Sequence, residues 1–137
     1  MFHNPSPAGI ADLLRQVKRI AVLGLSPNPR RPSHSVSAQM QRFGYQIVPV
    51  RPAVSEVLGQ PAYARLDQVP GEIDLVNVFR NAAEIDAIVD DCIRLKLPAI
   101  WIQEGIVNEA AAERARAAGM TVVMDRCIYK DYLAYCL

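Results

Sequence analysis

The chain has 137 residues, 51% hydrophobic and 21% charged, which fits one ordinary globular domain with a single good-sized core. A formal net charge of +1 gives no general attraction to nucleic acid or to a membrane surface, so any basic function must come from local clusters. No apolar run approaches the roughly 18 residues of a membrane span. Met1-Phe2-His3-Asn4-Pro5 lacks the charged start and apolar core of a signal peptide, and three cysteines without C-x-x-C spacing make no disulfide framework; the expected compartment is the cytosol.

In chain order, Ser6-Pro7 reads as an N-cap followed by proline at the first helical position. Ile10, Leu13, Leu14 and Val17 then recur at i, i+3, i+4, i+7, the spacing of a short amphipathic helix closed by Lys18-Arg19. Residues 20–23 are a fully apolar strand that ends at Gly24. A second helix is predicted from about Ser35 to Phe43, with Val36, Met40 and Phe43 on one face and Gly44 as its left-handed stop. Residues 45–50 form the next strand, ending at Arg51-Pro52; residues 53–72 are turn-rich, with a short edge strand at 56–58.

Residues 73–79 read as another main strand. Asn81 and Glu84 have capping-box spacing before a helix carrying Ile85, Ile88, Val89, Cys92 and Leu95. Residues 97–102 are a strand with Pro98 at its start, where a missing donor is tolerated. Asn108 caps an alanine-rich helix that stops at Gly119, residues 120–124 are the last strand, and residues 128–137 form a final helix packing back on the sheet. Strands alternate with helices, and four strands are nearly continuous apolar runs. The predicted fold is α/β: a three-layer, Rossmann-like, doubly wound and mostly parallel sheet with helices on both faces, spanning residues 1–137 as one domain.

Strand, glycine turn, helix is the usual opening of a nucleotide-binding α/β domain. The second and third glycines of G-x-G-x-x-G are missing here; Gly24-Leu25-Ser26 is followed by Pro27, Asn28, Pro29, Arg30 and Arg31. The expected ligand is a phosphorylated nucleotide held in other than the NAD manner. In such sheets the ligand lies beyond the carboxyl ends of the strands. The segments leaving those ends are residues 24–31, 51–52, 79–80, 103–105 and 125–127, and four of the five carry arginine: Arg30 and Arg31, Arg51, Arg80, and Arg126. Guanidinium forks match phosphate geometry, so convergence of the five suits a ligand with several phosphates; solvated loop ends are the plainer account of each one singly. Ser26, Ser33 and Ser35 add hydroxyls, and the helix starting near Ser35 favours an anion, although Ser33 and Ser35 also suit plain N-caps.

Taken together, Val22-Leu23-Gly24-Leu25-Ser26-Pro27, Val48-Pro49-Val50-Arg51-Pro52, Asp74-Leu75-Val76-Asn77-Val78-Phe79-Arg80, Trp101-Ile102-Gln103-Glu104-Gly105 and Asp125-Arg126-Cys127 resemble the small bacterial CoA-binding proteins. These look like a stand-alone form of the CoA-binding domain of the succinyl-CoA synthetase α subunit. The resemblance runs from about Ile10 to the end of the chain. It implies coenzyme A or an acyl-CoA across the carboxyl edge. By position, Gly24, Leu25 and Ser26 with Arg30 and Arg31 would hold phosphates, and Val50, Arg51 and Pro52 would border the adenosine end. Phe79 and Arg80 would flank the nucleotide or the pantetheine arm, Gln103 and Gly105 would line the path to the thiol, and Asp125, Arg126 and Cys127 would lie near its far part. Arg51 departs from the family, which usually has Asn there; an arginine either adds a phosphate contact or displaces the ribose.

No catalytic constellation is legible. The synthetase subunit works through a phosphohistidine in a second domain, whereas the histidines here are His3, in a terminus expected to be loose, and His34, in the first loop. Asp74, Asp125 and Glu104 read as strand-end caps or loop anchors, Cys92 and Trp101 as core, and there is no metal-ligand cluster. Cys127 stands at the ligand edge beside Arg126. Inert burial is the favoured reading of that thiol, and a mixed disulfide with CoA is the alternative. The expected role is non-catalytic or regulatory CoA binding. The alternatives are a CoA-site subunit of a multi-component ligase, or an NADP-binding redox sensor in which Arg51 meets the 2′-phosphate. Expected partners are the nucleotide ligand and either a second copy of the chain or a separate ligase, with neither nucleic acid nor membrane.

Overall fold

The apolar runs fold as strands, and the amphipathic segments between them as helices that cover both faces. A computed structural model describes residues 1–137. In chain order it contains α1 (Pro7–Gln16), β1 (Arg19–Leu23), α2 (Pro32–Arg42), β2 (Gln46–Val50), β3 (Glu56–Val57), β4 (Gln60–Pro61), β5 (Leu75–Val78), α3 (Ile85–Arg94), β6 (Ala99–Ile102), α4 (Glu109–Ala117), β7 (Thr121–Met124) and α5 (Ile128–Tyr135). Five strands make one sheet in the order β2-β1-β5-β6-β7, all parallel.

Period-two alternation divides each strand between two cores. Ile20, Val22, Leu75, Trp101 and Val123 point to the side covered by α1, α2 and α5, while Ala21, Leu23, Val76, Val78, Ile100 and Ile102 point to the side covered by α3 and α4. Neither face is wetted, which is why the strands read as continuous apolar runs. The alanine-rich face of α4, Ala111, Ala112 and Ala115, is wholly buried and lets that helix pack closely on the second core.

The topology fixes where a ligand can enter. The chain leaves β1 through α2 to reach β2 on one side, then returns past β1 to β5 and proceeds through α3 and α4 to β6 and β7 on the other. Right-handed crossovers in opposite directions put α2 on one face and α3 and α4 on the other. The connections after β1 and β5 therefore diverge, and a crevice opens above their carboxyl ends.

Three expectations are corrected here. α2 begins at Pro32, three residues before Ser35, because proline at the first helical position is preorganised for the helix. Residues 56–58 do not lie on the edge of the main sheet; Glu56 and Val57 pair with Pro61 and Gln60 in a separate antiparallel ribbon. The N-terminus is not loose: Phe2 is buried, and Asn4 brackets Met124 with Nδ2 donating to its carbonyl (2.9 Å) and Oδ1 accepting from its N–H (2.8 Å). A side chain thus pairs the last residue of the open edge strand β7, where an unpaired strand would invite association. Trp101 and Cys92 are core residues, both wholly buried.

Candidate functional site

Gly24 ends β1 with φ +82°, a left-handed value that disfavours a side chain. A Cβ there would sit 2.5 Å from the Phe79 carbonyl oxygen and 2.8 Å from Arg80 Cδ. The Gly24 N–H donates to the Val50 carbonyl (3.0 Å), and its own carbonyl accepts from Arg51 Nη1 (3.3 Å). The exits of β1, β2 and β5 are thereby gathered at one residue that has no side chain to keep them apart.

The loop after Gly24 is held by its own polar groups. Ser33 Oγ accepts from the Ser26 N–H (3.0 Å), Ser26 Oγ from the Asn28 N–H (3.1 Å) and Asn28 Oδ1 from the Arg30 N–H (3.0 Å). Neither Ser33 nor Ser35 is the N-cap of α2. Arg31 holds that position without a side-chain bond, Ser33 fastens the loop, and Ser35 Oγ donates to the Pro32 carbonyl (3.3 Å).

The opposite wall comes from the exits of β6 and β7. Asp125 takes a left-handed φ of 59°, and its Oδ1 accepts from the Gly105 N–H (2.7 Å), tying the two exits together. Trp101 Nε1 donates to the Arg126 carbonyl (2.8 Å), and Gln103 Oε1 accepts from the Ile128 N–H (3.1 Å). These bonds set the start of α5, whose N-cap is Cys127. Phe43, just past the end of α2, stacks on Tyr132 of α5 at 4.0 Å between centroids. Asp74 is an anchor of the same kind at the other end of the sheet, accepting from the Lys18 and Arg19 N–H groups.

Between these walls lies an open cleft of about 870 Å³, within the range of small-molecule sites. Of the residues singled out from the sequence, Gly24, Ser26, Arg31, Arg51, Phe79, Arg80, Gln103, Gly105 and Cys127 line it. A second hollow of about 520 Å³ adjoins it across Gly24 and Arg80 and is bordered by Val50 and Pro52. Five residues line neither. Leu25 is wholly buried in the core, and Arg30 and Ser35 are exposed outside the cleft. Asp125 is an anchor, and the Arg126 guanidinium turns to buried Asp131 (2.6 and 2.9 Å). The five arginines do not converge: Arg31, Arg51 and Arg80 reach the cleft, and Arg30 and Arg126 do not.

Lys130 is a fourth cation on the wall, one turn into α5. Sequence reading passed over it because that helix shows only its apolar spacing. Two of the four cations are matched by carboxylates that also line the cleft. Arg80 is bidentate to Glu84, which holds that carboxyl below the usual carboxylate range, chiefly through the side-chain hydrogen bond. Lys130 Nζ lies 3.0 Å from Glu104, and hydrogen bonding to that carboxylate raises the ammonium pKa. Arg31 and Arg51 have no carboxylate partner, so unneutralised positive charge is concentrated at the end of the cleft nearest Gly24 and Ser26.

Residues 18–132 match the family model described as a CoA binding domain. The chain is 45% identical over 127 residues to the uncharacterized protein YneT of Bacillus subtilis (strain 168), covering 93% of this chain and 94% of that one. It is 25% identical over 99 residues to an ADP-forming acetate–CoA ligase of Archaeoglobus fulgidus, covering 72% of this chain but only 14% of the ligase. Among solved structures, a hypothetical protein from Pyrococcus horikoshii OT3 superposes with a TM-score of 0.93 at 26% identity, covering 100% of this chain and 99% of that one.

Proposed function

The chain belongs to the CoA-binding domain family, and on that premise we propose that its cleft binds coenzyme A or an acyl-CoA in a non-catalytic, carrier or regulatory role. The observation that carries the reading is that Arg31 and Arg51, both without carboxylate partners, line the same cleft as the glycine where β1, β2 and β5 come together. A polyanion is drawn to that end, and guanidinium forks hold phosphate oxygens in pairs. The hollow bordered by Val50 and Pro52 takes the adenosine, and the wall of Gln103, Gly105 and Cys127 takes the pantetheine arm.

Calorimetric titration of the chain with CoA, dephospho-CoA and NADPH tests this. Saturable heat with CoA and none with NADPH is expected; the reverse order of affinities removes the CoA reading. Arg31→Ala and Arg51→Ala should each weaken CoA binding by about 1–3 kcal/mol, the scale of a lost charge-assisted hydrogen bond. Wild-type affinity in both variants would remove phosphate clamping at this end.

Glu84 should oppose the same ligand. It neutralises Arg80 on the cleft wall, so a phosphate approaching Arg80 must displace it or accept a neutral pair. Because Glu84's folded pKa is lowered, the pair persists at neutral pH and is lost only as pH falls through that lowered value. Glu84→Gln is expected to tighten CoA binding by about twofold to fivefold at low salt, the range for partly exposed ion pairs. Weaker binding by the variant would show that Glu84 positions Arg80 rather than competes for it.

The ligase match supports a second reading, in which the same site serves a separate ligase chain. Co-purification of this chain with a ligase that gains CoA-dependent activity from it would favour that reading over an independent carrier.

A further inference from the structure

We propose that Cys127 is a covalent capture site: it exchanges with CoA disulfide to leave a Cys127–CoA mixed disulfide inside the cleft. This rests on the cleft being a CoA site. Cys127 is only 7% exposed, yet it lines the cleft, so the route to its thiol is through the ligand's own space. The second observation is Gln103. That side chain is 4% exposed, and its Oε1 is committed to the Ile128 N–H immediately after Cys127. Gln103 itself lines the cleft, and its Nε2 donates to no group of the protein. An amide fixed by its oxygen beside a thiol, with its donor end free, matches a ligand arm that carries an amide carbonyl a few atoms from a sulfur, which is the form of pantetheine.

The surroundings suit thiol–disulfide exchange, in which a thiolate attacks a disulfide sulfur. Cys127 is the N-cap of α5, an eight-residue helix, and a helix N-terminus favours negative charge. Lys130 lies one turn on along the same wall. Its ammonium is paired with Glu104, and it lines the same cleft as Cys127. The cation beside Cys127 in sequence does not serve this purpose, since Arg126 is committed to Asp131.

The other two cysteines make internal controls. Burial pushes the Cys92 thiol up to about 12, and it lies in the core beneath α3. Cys136 is also raised by burial and faces the Ala11 carbonyl on α1, outside the cleft.

In the exchange, the Cys127 thiol gives up its proton and the sulfur attacks one sulfur of CoA disulfide. The CoA S–S bond breaks, the Cys127–CoA S–S bond forms, and the second CoA leaves as a thiolate that takes up a proton. The CoA disulfide is the oxidant, and the captured half is released by any incoming thiol through the reverse step.

The test incubates the reduced full chain with CoA disulfide or, separately, glutathione disulfide, and follows intact mass and peptide mapping with time. One CoA adduct is expected on the peptide bearing Cys127, reversed by dithiothreitol, absent from Cys127→Ser and retained by Cys136→Ser. It should form at least about tenfold faster than the glutathione adduct, because binding raises the effective concentration of the disulfide. Arg51→Ala should slow the CoA adduct and leave the glutathione rate unchanged. No adduct on wild-type chain that binds CoA in the calorimeter, an adduct mapping to Cys92 or Cys136, or equal rates for the two disulfides would each overturn the proposal. Absence of CoA binding itself would instead overturn the reading on which it rests. Mapping on wild-type chain keeps the test decisive even if Cys127→Ser folds poorly.

Discussion

Gly24→Ala is expected to destabilise the chain by about 2–5 kcal/mol, combining a left-handed backbone cost with overpacking. The clash cannot be relieved by a side-chain rotation, because the nearest atom to the new Cβ is the Phe79 carbonyl oxygen at 2.5 Å. That carbonyl is held in place, since the Phe79 N–H donates to the Leu23 carbonyl (2.9 Å). Gly24 is held from the other side by its N–H bond to Val50. Relief therefore requires the exits of β1 and β5 to separate, which also displaces Arg80 and widens the cleft floor. The variant should lose CoA binding even under conditions where it remains folded. Equilibrium denaturation measures the first effect and calorimetry the second. A stability change below about 1 kcal/mol would show that the strand exits have room to yield, contrary to the overpacking argument.

Trp101→Ala should cost about 3–5 kcal/mol, the usual range for a fully buried aromatic cut to alanine. Trp101 is 0% exposed and packs in the core beneath α1, α2 and α5. Its indole N–H also holds the Arg126 carbonyl, one residue before Cys127, so the residue links core packing to the wall of the cleft. Trp101→Phe separates the two contributions. It keeps most of the ring but leaves the Arg126 carbonyl without its donor, and should cost about 1–3 kcal/mol. Denaturant midpoints of both variants make the comparison. A phenylalanine variant as stable as wild type would mean that the Arg126 carbonyl finds another donor, and the start of α5 would then be set by Gln103 and Asp125 alone.

Much of the architecture was legible because its signals are local. The strands read at 20–23, 73–79 and 97–102, helix spacing in α1 and α3, and Asn108 as the cap of α4 all follow from neighbours a few residues apart. α2 starts at Pro32 rather than near Ser35, because proline already sets the helical φ and needs no serine cap. Asn4 gave no local signal: its partner Met124 is 120 residues away, and only the folded edge of β7 brings them together.

The parallel sheet and its glycine turn, read from the sequence, determined at which edge of the sheet a cleft must open. They follow from the alternation of buried strands with helices and from the one residue type that tolerates φ +82° against a neighbouring carbonyl. Which charges face that cleft was decided only by the tertiary structure. Five arginines stand at strand exits, yet Arg126 is taken by Asp131 and Arg80 is shared with Glu84, while Lys130, unmarked in the sequence, meets Glu104 from 26 residues away. A position at a strand end is a property of the backbone. The direction of a long, flexible charged side chain is set by whichever opposite charge the packed helices bring within reach, and that partner lies beyond the range of any local pattern.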